Sequence, residues 1–166
     1  MSALIVYASK YGTTQRCALE LRDRLGGGAQ VMDLRGAGGA GRKELERALD
    51  VAGVVVVGGS IYAGRIRPEV PRFCERYREK LLGRKVALFI CCLETGDRAR
   101  EELAAGYPEW LSSHAFERAI LGGEVRLGAL RPLDRFLFTR LGKVTVDVSR
   151  IDHGAIGALA AKIDVF

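Results

Sequence analysis

Apolar and polar positions along the chain fall into two alternating regimes. Residues 3–8 (ALIVYA), 51–60 (VAGVVVVGGS) and 85–93 (KVALFICCL) are near-continuous apolar runs of strand length. The four successive valines Val54 to Val57 leave no polar face, so such strands are buried on both sides. Residues 29–34 (AQVMDL) alternate instead, as a strand nearer a sheet edge does, and 118–125 (RAILGGEV) gives a fifth strand. The intervening segments carry a helical period. Cys17, Ala18, Leu21 and Leu25 share one stripe over 14–25, stopped by Gly26-Gly27-Gly28. Further helices are predicted over 42–50, over 69–82 beside Pro68 and Pro71, over 98–105 before Gly106 and Pro108, and over 154–164.

Strands alternating with helices, without hairpin signals between them, predict a parallel sheet covered by helices on both faces. The 166 residues read as a single domain with a sizeable core. In such α/β sheets the ligand sits outside the carboxyl ends of the strands, where the winding reverses. That singles out the loops at 9–14, 59–65 and 92–98. After the fifth strand the pattern changes: 131–141 is helical and 143–148 (KVTVDV) suits a short extra strand, so about 126–148 reads as an insert.

Lysine and arginine number 26 against 20 acidic residues, a net charge of +6. Between Arg118 and Lys143 six basic residues face two acidic ones, making that segment a candidate surface for an anionic partner. No aromatic-interleaved basic stripe points to nucleic acid. No apolar run approaches the roughly 20 residues of a membrane span, and the N-terminus has no basic leader, so a cytoplasmic location is expected. Cys17, Cys74, Cys91 and Cys92 have no metal-ligand spacing, and Cys91 and Cys92 fall on opposite faces of a strand, which suits buried, reduced thiols. His114 and His153 stand alone.

Two loops compete for an anion. Ser9-Lys10-Tyr11-Gly12-Thr13-Thr14 follows the first strand and runs into a helix, so backbone N–H groups and the helix dipole point at whatever sits there. Ser9, Thr13 and Thr14 can donate to phosphate oxygens, and Gly12 permits close approach; the plainer alternative is a turn with Thr13 or Thr14 as helix cap. Gly36 to Gly41 (GAGGAG) is a literal GxGxxG. It follows the second strand rather than the first, and the next strand ends in Gly58-Gly59-Ser60 where a ribose-binding acid is required. It reads as a turn. No GK[ST], HExxH or GxSxG occurs.

The string SKYGTT at 9–14 resembles the flavodoxin phosphate loop, and GGSIYAGRI (58–66) and CLETGDR (92–98) resemble the two flavin-flanking loops of that family. The similarity spans 3–125 and the last helix. GGSIYAGRIRPEVPRFCERYREKLLGRKVALF and GGEVRLGALRPLDRFLFTRLGK further resemble the branch of menaquinone-dependent protoporphyrinogen IX dehydrogenases. The resemblance implies a flavodoxin-like three-layer sandwich, a five-stranded parallel sheet with helices on both faces and an insert after the fifth strand. It implies FMN as the cofactor, with Ser9, Tyr11, Gly12, Thr13 and Thr14 at its phosphate. Ser60, Ile61, Tyr62, Ala63, Gly64 and Arg65 would pass one edge of the ring system, Tyr62 either stacking on it or packing at a helix start. Cys92, Leu93, Glu94, Thr95 and Gly96 would face another edge, Glu94 alternatively being a solvated acid. No side chain is expected to act as a covalent catalyst and no metal is called for.

By the same resemblance the substrate is a porphyrinogen and the electron acceptor a quinone, in haem biosynthesis. The alternatives are an electron-transfer flavodoxin and a non-catalytic flavodoxin-like binding protein. Arg65 and Arg67 beside the ring would raise its potential by Coulomb attraction to the reduced form, or simply face water. In RPLDRFLFTRLGK, Leu133, Phe136, Leu137 and Leu141 share one helical face ringed by Arg131, Arg135 and Lys143. Such a helix lies on an anionic membrane surface, peripheral to it, or packs as the insert's own core. Arg65, Arg67, Arg131, Arg135 and Phe136 are thus the candidate substrate or membrane contacts.

Overall fold

The computed structural model describes residues 2–141 and 144–166. Lys143, expected on the rim of the insert helix, lies outside the described residues. Five parallel strands form the sheet: β1 (Ala3–Ala8), β2 (Gln30–Asp33), β3 (Val54–Tyr62), β5 (Lys85–Cys91) and β6 (Glu117–Ile120), in the order β2-β1-β3-β5-β6. This is the doubly wound arrangement whose winding reverses between β1 and β3. The edge position expected for β2 is observed.

The valine-rich strands are buried on both faces because each face meets a helical layer. Ile5, Tyr7, Val54, Val56, Ala87, Phe89 and Cys91 face α1 (Thr13–Arg24) and α8 (His153–Ile163). Leu4, Val6, Val55, Val57, Leu88, Ile90 and Cys92 face the opposite layer. That layer comprises α2 (Ala40–Val51), α3 (Glu69–Arg76), α4 (Arg78–Leu82), α5 (Gly96–Gly106) and α6 (Glu109–His114). Cys91 and Cys92 therefore part to opposite sides, as strand alternation requires, and all four cysteines are buried free thiols.

Four details depart from the sequence pattern. The loop expected at 61–68 contains a hairpin: β3 extends to Tyr62 and β4 (Arg65–Ile66) folds back antiparallel, Tyr62 opposite Arg65. Ala63 (φ 50°) and Gly64 (φ 73°) take the left-handed turn, and an Ala at the first position hides the usual hairpin signature. The single helix expected over 69–82 breaks at Tyr77, whose buried hydroxyl donates to Glu46 of α2. The strand expected over 118–125 stops at Ile120; Gly122 (φ +76°) turns the chain, and β7 (Glu124–Val125) pairs with β8 (Val148–Ser149). Of the strand expected over 143–148, only Val148 is in β8. The insert thus becomes a flap anchored by a two-stranded ribbon, carrying α7 (Pro132–Arg140) across the carboxyl ends of the sheet.

Candidate functional site

The loops after β1, β3 and β5 converge at one place, as the topology demands. Ser9 Oγ accepts from the Gly12 N–H at 2.9 Å, which closes the first loop into a tight turn. Gly12 sits at φ 88°, a backbone conformation suited to glycine, and no side chain caps α1. The first-turn N–H groups of α1, at the positive end of its dipole, are thereby left for an anionic ligand. Thr14 Oγ1 and, across the floor, Ser60 Oγ are buried without a hydrogen-bond partner. Ser60 lines the cavity, where a ligand would complete its hydrogen bonding, whereas Thr14 is outside the lining.

A cavity of about 50 Å³ remains here, lined by Ser9, Lys10, Tyr11, Ser60, Tyr62 and Leu93 among others. Flavin-sized ligands occupy sites of several hundred Å³. The middle of the space is filled by two side chains: Lys10 Nζ lies 3.6 Å from the Tyr62 ring centroid, and Phe138 of α7 meets that ring edge-on at 5.6 Å.

Asp134 holds this arrangement together, and it is the buried residue of α7. Its carboxylate accepts from the hydroxyls of Tyr11 and Tyr62 and lies 2.8 Å from Lys10 Nζ. Burial alone would raise the Asp134 pKa, but the donors Lys10, Tyr11 and Tyr62 outweigh it and hold the carboxyl down at about 2. Burial and the Asp134 hydrogen bond push both tyrosines up. Glu124, which lines the cavity, is paired with Arg16 and with Arg126.

Of the residues expected from sequence, Ser9, Tyr11, Thr13, Ser60, Ile61, Tyr62, Cys92 and Leu93 line the cavity, while Gly12 and Thr14 are not among its lining residues. Tyr11 turns its hydroxyl to Asp134 and to the Arg131 N–H. Ala63 and Gly64 form the hairpin turn, and Arg65 borders a separate groove with Glu75 and Glu102. Arg67 is engaged by Glu69 at 2.9 Å. Glu94 is exposed and 3.7 Å from Arg98, while Thr95 and Gly96 (φ +60°) start α5. Burial pushes the Cys92 thiol up to about 12, so it is no nucleophile. His114 contacts the Arg84 carbonyl and His153 pairs with Glu20, both away from the cavity.

Sequence reasoning did not select the cavity-lining residues Lys10, Cys91, Gly123, Glu124, Val125 and Phe138, nor Asp134, which pairs with Lys10. Lys10 lies inside the quoted loop and Asp134 inside the quoted insert, but nothing local announces that they meet.

The fold and this loop triad define a flavin-binding α/β protein. The chain belongs to the flavodoxin-domain family, which residues 4–152 match. FMN is the cofactor this membership implies, and the orphaned Ser60 hydroxyl and the uncapped helix start fit it. The fold is similar to a WrbA-like flavodoxin from Agrobacterium tumefaciens (TM-score 0.57, 14% identity, 97% of this chain and 98% of that one). It is also similar to an oxidoreductase from Corynebacterium diphtheriae (TM-score 0.61, 13% identity, 99% and 97%). A flavodiiron protein from Giardia intestinalis matches 99% of this chain with 36% of its own (TM-score 0.58, 14% identity). No curated protein matches the chain by sequence.

Proposed function

We propose that this protein is an FMN-dependent dehydrogenase of a porphyrinogen-type substrate that passes electrons to a quinone while resting on an anionic membrane surface. The observation that carries this reading is the orientation of α7. The helix turns its acidic residue inward and two of its apolar residues outward: Asp134 is 6% exposed, Leu133 69% and Phe136 54%, while Leu137 and Phe138 are half-buried. Arg131, Arg135 and Arg140 accompany the outward residues. A helix with its apolar side in solvent, ringed by arginines and seated over a redox site, suits delivery of an apolar substrate or acceptor from a bilayer. The proposed contact is peripheral, and no helix among the described residues is long and apolar enough to cross a membrane.

FMN, when bound, supplies the two-electron chemistry. The chain's residues bind and orient it. The α1 amide groups with Ser9, Thr13 and Thr14 receive the phosphate, Ser60 offers a hydroxyl to the ring edge, and the segment from Cys92 to Leu93 faces it from β5. Lys10, on the cavity lining, is a cation that favours an electron-rich ligand there. Phe138 and Val125 close the site against water.

The test is porphyrinogen oxidation by FMN-loaded protein with a soluble quinone analogue as acceptor. Turnover that depends on both supports the reading; yellow protein that fails to oxidise porphyrinogen overturns it. An electron carrier serving a protein partner is the second reading, favoured by the compact, nearly full-length likeness to the WrbA-like flavodoxin. Its signature is rapid one-electron exchange with a redox partner and no porphyrinogen turnover.

A further inference from the structure

A second cleft, of about 460 Å³, lies between the segment after β5 and the insert. Leu93 and Phe138 line both it and the cofactor cavity, so the two spaces meet at those side chains. Val144, Val146 and Val148 give the cleft an apolar wall, and its volume falls in the ordinary range for a small-molecule site. The cofactor reading uses its Leu93, Glu94 and Phe138 edge but not the wall from Val144 to Arg150.

The cleft holds one uncommitted cation. Arg150 lines it and makes no ion pair among the described residues. The acids beside it in sequence are occupied elsewhere. Asp147 accepts from the Leu127 N–H at 2.8 Å, and Asp152 caps α8 through the Ala155 N–H at 2.8 Å. Glu94, also on the cleft, has Arg98 as its neighbour.

The backbone under Arg150 is fixed on both sides. Its N–H donates to the Gly123 carbonyl at 2.8 Å, and its carbonyl packs so closely on Gly122 that no Cβ would fit there. Gly123 in turn abuts the Cys92 carbonyl. The guanidinium thus springs from a frame tied to the end of β5, while the other candidate arginines are placed differently: Arg67 is paired with Glu69, and Arg65 borders another groove.

We propose that this cleft receives the molecule that exchanges electrons with the cofactor, and that this molecule is apolar and carries a carboxylate, which Arg150 holds. The valine wall takes the apolar body, and the planar guanidinium offers two parallel N–H donors to the carboxylate. A neutral quinone would leave Arg150 unused. The inference rests on the FMN reading of the adjoining cavity.

The experiment titrates FMN-loaded protein with protoporphyrin IX, a stable apolar dicarboxylate, and in parallel with its dimethyl ester, following the porphyrin absorbance. The free acid is expected to bind about tenfold more tightly than the ester, as one charge-assisted pair warrants. Arg150→Gln erases that preference, Arg150→Lys keeps part of it, and Arg65→Gln and Arg67→Gln leave it unchanged. Equal binding of acid and ester by the wild-type protein, or an unchanged preference in Arg150→Gln, overturns the proposal. Flavin content is read on the same samples. Wild-type protein that refuses FMN overturns the cofactor reading and this inference together, whereas yellow protein without the acid preference overturns the cleft alone.

Discussion

Asp134 of the insert accepts a hydrogen bond from the hydroxyl of Tyr62, 72 residues earlier at the end of β3. The same carboxylate accepts from Tyr11 and pairs with Lys10 at 2.8 Å. One residue thereby ties the flap to the loop after β1 and to the loop after β3. It also holds the Tyr62 ring on the wall of the cavity between those loops.

The attachment depends on Asp134 being ionised. Its carboxyl is held at about 2, below the ordinary 3.8, because three donors outweigh its burial. A group with a depressed folded-state pKa stabilises fully above its unfolded value and loses that contribution as pH falls through the folded one. Asp134→Ala is therefore expected to cost about 1–2 kcal/mol at pH 6, allowing for screening at this near-surface site. The difference from wild type shrinks between about pH 4 and pH 2. Denaturant unfolding of both proteins across that range checks it; a difference independent of pH would contradict the assignment.

Releasing Tyr62 should also speed cofactor binding. In stopped-flow mixing with FMN, Asp134→Ala is expected to show a faster association rate than wild type, since the ring no longer has to be unpinned. Tyr62→Phe, which removes the hydroxyl and keeps the ring, should move the rate the same way. An association rate unchanged in both variants would show that Tyr62 does not limit access.

The orphaned hydroxyls give a contrasting pair. Thr14 Oγ1 and Ser60 Oγ are buried without partners, so replacing them removes an unmet demand from the protein alone. Thr14→Val and Ser60→Ala should leave unfolding midpoints level or slightly raised, yet weaken FMN binding about tenfold each, the value of one hydrogen bond. Flavin fluorescence quenching gives the affinity and thermal unfolding the stability. Parallel losses in both measurements would mean that the hydroxyls serve the fold instead.

What the sequence makes legible here follows the range of the interactions. Val54 to Val57 announce a doubly buried strand within four residues, and Ser9 to Thr14 announce an anion loop within six. Both depend on neighbours in the chain. The Asp134 cluster spans 123 residues from Tyr11, and in its own segment Asp134 reads as one more polar residue in the first turn of a helix. The direction of α7 is hidden for the same reason: its apolar face looks like a core face until Asp134 is found pointing inward. The β3–β4 hairpin escapes detection because Ala63, not Asn or Asp, takes the left-handed position.

Gly58 shows how tightly the sheet beneath the site is built. It pairs with Phe89 across β3 and β5, and the Phe89 ring lies where a Cβ on Gly58 would be. Gly58→Ala forces that fully buried ring aside in a packed core, at a cost of about 2–3 kcal/mol. For a protein of this size the expected fall in melting temperature is about 4–12 °C. Gly28→Ala, with open space around it, serves as the control and should change little.

The outward face of α7 makes the membrane reading measurable. Leu133, Phe136 and Leu141 are 69%, 54% and 75% exposed, and Arg131, Arg135 and Arg140 lie among them. Each arginine near an anionic surface contributes about 1 kcal/mol, and burying one aromatic side chain adds about 2 kcal/mol. Co-sedimentation with vesicles containing phosphatidylserine should thus be substantial at low salt and fall as salt rises, while neutral vesicles bind weakly. Phe136→Glu is expected to reduce binding to anionic vesicles at least tenfold, combining the lost apolar contact with a repulsive charge. Arg135→Glu should reduce it less and flatten the salt dependence. Both positions are in solvent, so the fold and FMN content should stay at wild-type levels. Equal sedimentation of the wild type and Phe136→Glu would remove α7 from the membrane and leave its apolar face to a protein partner.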